Sequence, residues 1–121
     1  MEPKAMALFL AQALADKKGE DITILDVEAL VAYTSFFVVC GGRSERQVQA
    51  MSQHVLRLAK EGGLGRPLGQ EGAREGRWAL LDFGDVVVHI FKGDERHFYD
   101  LEGLWQDAPR VDFEPEVTAS A

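Results

Sequence analysis

The chain has 121 residues, 46% of them apolar and 27% charged, which suits one soluble domain that closes a core without disulfides or structural metal and excludes a disordered or fibrous protein. Its 13 Lys and Arg against 20 Asp and Glu leave a formal charge of −7, which argues against a direct grip on nucleic-acid backbones and favours a basic partner or a plain solubilising surface. No apolar run approaches the roughly 18 residues of a membrane span, and the first residues lack a cleavage pattern, so no membrane contact and a cytoplasmic location are expected.

From Pro3, a favourable first helical residue, Met6, Phe9, Leu10, Ala13 and Leu14 recur on one helix face until Lys17, Lys18 and Gly19 end it. Ile22 to Val27 then reads as a short strand. Glu28 to Ser35 is a turn or a short helix. Phe36 to Cys40 is continuously apolar and reads as a strand buried on both faces. Cys40, the single cysteine, fits a small core residue better than a reactive thiol. Gly41-Gly42 breaks this strand, and Ser44 with Gln47 is a capping box for a helix whose buried face is Val48, Met51, Val55, Leu58 and Ala59, closed by Gly62-Gly63.

Residues 62–77, rich in Gly and charge, read as a loop able to move or to fold against a partner. Trp78 to Phe91 reads as a hairpin around Gly84-Asp85, of type II′ or I′. Phe83 then faces Val86, Trp78 faces Phe91 and Leu80 faces His89. One face of the hairpin, Ala79, Leu81, Phe83, Val86, Val88 and Ile90, is wholly apolar and belongs to the core; a bulge would exchange the faces. The other carries Trp78, Leu80, Asp82, Val87, His89 and Phe91. With Asp82 diagonal to His89, that face reads either as a partner interface or as a surface covered by a helix of the same chain. Glu95 to Trp105 places Phe98, Leu101, Leu104 and Trp105 on a helical spacing, and Tyr99, Leu101, Leu104 and Trp105 fit core packing of this last helix as well as a surface. Residues 109–121 read as a frayed, disordered tail, which leaves one domain over residues 1–108. The order predicts an α/β or α+β fold, a mixed sheet covered by helices.

Enzymatic readings are weaker. Asp82 and Asp85 are separated by a turn, and Asp100 and Glu102 diverge on a helix, so neither pair clamps a metal for phosphoryl transfer. His54, His89 and His97 share no ligand spacing with Cys40. Gly41-Gly42-Arg43-Ser44 fits a strand-to-helix turn better than a phosphate cradle, because the Walker lysine is missing. A nucleotide-binding or nucleotidyltransferase-like enzyme is therefore the alternative; no catalytic residues, cofactor or metal are expected.

The runs Asp21 to Val27, Phe36 to Val48, Glu71-Gly72, Trp78 to Phe91 and RHFYDLEGLW (Arg96 to Trp105) together resemble the ribosomal silencing factor family, also called the Iojap family, from about Met6 to Ala108. The resemblance implies a nucleotidyltransferase-like fold without the catalytic acids. It also implies a translational repressor that binds the large ribosomal subunit through its fourteenth protein and blocks joining of the small subunit when nutrients are short. Carried onto this chain, the partner-binding surface is Trp78, Leu80, Asp82 and His89, with Arg96, Tyr99, Leu101 and Leu104 from the final helical region. Trp78 is expected as anchor, Asp82 to meet a basic or hydroxyl group, and His89 to orient by hydrogen bonding. The same patch admits a homodimer when no ribosome is bound. The chain departs from the family at Ser35, where many members carry Asp; a hydroxyl replaces the hydrogen bond there but not the charge.

Overall fold

The computed structural model describes residues 1–116. In chain order it contains α1 (Pro3–Asp16), β1 (Glu20–Asp26), β2 (Phe36–Gly42), α2 (Glu45–Glu61), β3 (Gly69–Glu71), β4 (Trp78–Asp82), β5 (Val86–Lys92), α3 (Glu95–Tyr99), α4 (Leu101–Leu104) and β6 (Arg110–Val111). The strands form one mixed sheet in the order β3-β4-β5-β2-β1-β6, an α+β architecture. Only the central pair β2 and β5 is parallel, and the chain between them runs through α2, the crossover that parallel neighbours require.

α1 and α2 cover one face of the sheet. Leu10 and Leu14 of α1 and Val48, Met51 and Val55 of α2 join Val38, Cys40, Leu81, Val88 and Ile90 in a fully buried cluster. Ser44 Oγ accepts from Gln47 N at 3.1 Å, and the Gln47 carboxamide returns by accepting from Arg43 N at 2.6 Å. The same carboxamide donates to the carbonyls of Lys17 and Lys18, each at 3.2 Å, so the cap also ties the start of α2 to the end of α1. These bonds occupy two of the amides at this turn, those of Arg43 and Gln47, as a strand-to-helix cap does.

The hairpin has the expected register: Trp78 pairs with Phe91, Leu80 with His89, and Phe83 N donates to the Val86 carbonyl at 2.9 Å. Gly84 takes φ 89 while Asp85 stays outside the left-handed region, which fits the turn needing a left-handed residue only at its first position. Val38 and Val39, like the rest of β2, are buried, because the strand lies in the middle of the sheet with side chains packed on both faces.

Four stretches differ from expectation. Gly41 and Gly42 do not break β2 but extend it, pairing with Phe91 and Lys92. The segment 62–77 is not wholly a loop, since β3 pairs with β4 from Gly69↔Asp82 to Glu71↔Leu80. The final helix is split: Asp100 adopts φ 43, ψ 52 and its carboxylate accepts from Gly103 N at 3.1 Å, ending α3 and capping α4 in one residue. Residues 109–116 do not fray. β6 pairs with β1, with Val111 opposite Ile24, Phe113 packs on the first core cluster, and Gln12 exchanges hydrogen bonds with the Glu116 backbone at 3.2 and 2.8 Å. The apolar alternation Val111, Phe113 half-buries these two side chains although Pro109, Pro115 and three acids share the segment. Residues 117–121 of the expected tail lie outside the described residues.

Candidate partner-docking surface

The sheet face away from α1 and α2 carries a smaller cluster: Leu25, Val27, Phe37, Val39, Val87, Phe91 and Ala108, with Trp78, Leu80, Leu101 and Trp105 half-buried around it. The chain's own helical region thus covers part of the hairpin's second face and leaves another part half-exposed. Trp105 sets its ring against Phe37 at 5.9 Å and roofs the end near β2, whereas the Trp78 end is roofed only by Tyr99, with ring centroids 4.4 Å apart. Trp78 also lies 4.9 Å from the buried Phe91, and Tyr99 meets the exposed Phe98 edge-on at 5.1 Å, so an aromatic shelf runs from Trp78 over Tyr99 to Phe98.

α3 and α4 contribute no buried residue, yet they are placed so that Phe98 is 80% exposed, Leu104 71% and Tyr99 44%. Exposed apolar side chains this large, adjoining a half-buried tryptophan, are uncommon on a free surface and common at an interface. Phe98 did not stand out in sequence because a continuous helix would have directed it inward with Leu101 and Trp105. The break at Asp100 changes its direction.

His89 is buried, with 5% of its surface exposed, and its ring meets the Phe37 ring edge-on at 5.1 Å. Its Nδ1 accepts from the Trp78 indole N–H at 3.1 Å, while Nε2 is buried with no partner among the described residues. Burial pushes its pKa down to about 4, so the ring is neutral at physiological pH and its proton sits on Nε2. The diagonal pairing of His89 with Asp82 does not form. Asp82 instead accepts from Gly84 N at 2.8 Å and stabilises the hairpin turn.

Arg96 is held inside the structure. Its side chain is 10% exposed; Nε donates to Glu102 at 2.8 Å, and the terminal nitrogens donate to the carbonyls of Glu20 at 3.1 Å and Asp21 at 2.7 Å. The guanidinium thus pins α3 and α4 to the start of β1, where Asp21 adopts φ 48. Of the residues singled out in sequence, Trp78, Leu80, Tyr99 and Leu101 come together on one surface with Asp82 at its edge, while Leu104 is exposed at the end of α4. His89 lies beneath Trp78, and Arg96 behind the helices.

Other chemistry finds little support. Cys40 is buried, and burial pushes its thiol up to about 12, which makes it inert. Among the described residues no three His, Cys, Asp or Glu side chains converge on a metal position, and no helix is long and apolar enough to cross a membrane.

The family model described as "Ribosomal silencing factor during starvation" matches residues 1–121. The chain is 43% identical to the ribosomal silencing factor RsfS of Bacillus subtilis, over 94% of this chain and 96% of that protein. It is 40% identical to the protein of the same name from Halalkalibacterium halodurans, over 98% and 100%. A crystal structure of a Chromobacterium violaceum protein superposes with a TM-score of 0.84 at 36% identity, covering 98% of each chain.

Proposed function

Because this chain belongs to the ribosomal silencing factor family, we propose that it represses translation by binding the large ribosomal subunit and sterically blocking its union with the small one, with no chemistry of its own. The observation that carries this reading is the aromatic shelf of Trp78 and Tyr99, extended by the exposed Phe98, beside the sheet face that the two long helices leave open. The partner is the fourteenth protein of the large subunit. It is expected to be basic, and an acidic chain of charge −7 speeds and orients that encounter.

In this reading Trp78 is the anchor, Leu80 and Leu101 form the walls beside it, and Asp82 offers the carboxylate oxygen not used by the hairpin turn to a basic or hydroxyl group. His89 sets the indole orientation from below. Arg96 positions the helices and does not itself meet the partner. The protein works in the cytoplasm, needs no cofactor, and covers the shelf with a second copy when no ribosome is bound.

The test is sucrose-gradient sedimentation of purified large and small subunits, with the protein added before they are mixed. Co-migration with the large subunit and depletion of the joined particle are expected. Unchanged joining, with the protein left at the top of the gradient, would reject the proposal.

A further inference from the structure

The net charge conceals an uneven distribution. Between residues 43 and 77 seven Lys and Arg stand against four Asp and Glu, whereas the rest of the chain carries six against sixteen, so the acidity lies elsewhere and this segment is basic. Folding gathers much of that basic charge in one place. The loop before β4 lies on the first turn of α2: a Cβ on Gly76, which has φ 75, would come within 2.6 Å of the Glu45 carbonyl oxygen, so only glycine allows the close approach. Gln49 Nε2 donates to the Arg74 carbonyl at 2.6 Å and fixes the other end of the loop on the helix. Arg77 and Lys92 both reach Glu45 Oε1 at 3.8 Å, and Lys92 N donates to the Arg77 carbonyl at 2.8 Å.

Two cations, Arg77 and Lys92, therefore share the Glu45 carboxylate, and Arg43, Arg46 and Arg74 stand on the turn, helix and loop that meet there, together with Glu75. Arg43, Arg46 and Arg74 are exposed and form no ion pair among the described residues. Arg77 directly precedes Trp78 and Lys92 directly follows Phe91, its paired residue, so the rim borders the shelf along the chain while these two side chains turn to the α2 side of the sheet, where they reach Glu45.

We infer that this rim of Arg43, Arg46, Arg74, Arg77 and Lys92 lies on the phosphate backbone of ribosomal RNA when the shelf docks, an inference that rests on the docking reading above. A basic partner of the kind proposed above would be repelled by a basic rim bordering the shelf. What lowers the energy of five cations at that position is a polyanion, and a protein embedded in the large subunit is bordered by RNA phosphates. Phosphate binding of this kind is independent of base sequence and releases counterions.

The experiment compares the wild-type protein with an Arg46→Glu/Arg74→Glu double variant, using residues whose side chains make no hydrogen bond or ion pair among the described residues. Binding is measured to intact large subunits, to the isolated fourteenth protein, and to a short RNA duplex at low salt. The double variant should lose subunit affinity on the order of tenfold, and the slope of log affinity against log salt should become shallower by about 0.9 for each phosphate that is no longer neutralised. Its affinity for the isolated protein should hold or rise slightly. A double variant with wild-type affinity and salt slope on subunits overturns the RNA contact and leaves the docking reading standing. A wild-type protein that binds the duplex through these arginines, but neither the subunit nor the isolated protein, overturns the docking reading while the basic rim keeps its ligand.

Discussion

The indole N–H of Trp78 donates to Nδ1 of His89 at 3.1 Å, across the pair of antiparallel strands that carries them. A buried, neutral imidazole thus holds the largest side chain of the docking shelf in one orientation. Because the indole is already fixed before docking, little rotamer entropy remains to be given up when a partner covers it.

Truncating the anchor tests that role. Trp78→Ala should weaken binding to large subunits by at least about 2 kcal/mol, roughly thirtyfold, the range of an interface hot spot. Trp78→Phe should lie between, because it keeps the stacking on Tyr99 but leaves His89 Nδ1 without its donor. Titrated co-sedimentation reads both, and a folded Trp78→Ala variant of undiminished affinity would remove Trp78 from the anchor position.

Stability should depend on pH through His89. Its pKa in the folded protein is depressed from 6.5 to about 4 by burial. As the pH falls below 6.5 the unfolded chain takes up this proton and the native chain does not, so the stabilising contribution is complete above about 6.5 and is lost on the way down to about 4. The total is roughly 3 kcal/mol. Urea unfolding at pH 7.5, 5.5 and 4.5 should show this decline, and His89→Phe should flatten it relative to wild type. Parallel curves for the two proteins would show that His89 is not the titrating group.

Replacing Arg96 should disturb docking without removing any docking side chain. Arg96→Ala takes away the ion pair to Glu102 and the bonds to two carbonyls of β1, with an expected loss of about 1.5–3 kcal/mol in unfolding free energy. Arg96→Lys keeps the charge but cannot reproduce the fork, and it should fall short of wild type as well. Because α3 carries Tyr99, the near-ultraviolet dichroism of the Trp78–Tyr99 pair should change in both variants, and subunit dissociation should accelerate. Wild-type spectra together with weakened binding would instead make Arg96 a direct contact.

Deleting residues 109–121 should not behave as removal of a loose tail. The deletion strips Val111 from β1, Phe113 from the first core cluster and the Glu116 backbone from Gln12, so the melting temperature should fall by several degrees, as for a loss of about 1–2 kcal/mol. An unchanged melting temperature would mean that this packing and pairing contribute nothing.

The hairpin was readable because its information is local. Gly84-Asp85 sets the register, and strict alternation on either side sorts the residues between two faces. The cap of α2 was readable for the same reason, since Ser44 and Gln47 are three positions apart. What escaped depends on distance or brevity. β3 and β6, with three and two residues, are too short for any periodicity. Phe98, Leu101 and Leu104 keep helical spacing across a break that a single left-handed Asp100 introduces. The role of Arg96 lay beyond sequence reasoning because its carbonyl partners are 76 and 75 residues away. The basic rim was hidden behind the total charge until Gly76 placed one loop on one helix.

The two ends of the sheet have a consequence for life in a crowded solution. A surface that leaves Phe98 and Leu104 uncovered is a starting point for aggregation, and the greater danger lies where a long free strand could recruit another. Here the outermost strands are β3 and β6, each so short that it offers few backbone groups to an incoming chain, and β3 begins at Gly69 and is followed by Gly72. Stickiness is thus confined to side chains on one face, where contact is reversible, and fibrous growth by strand addition is denied a template.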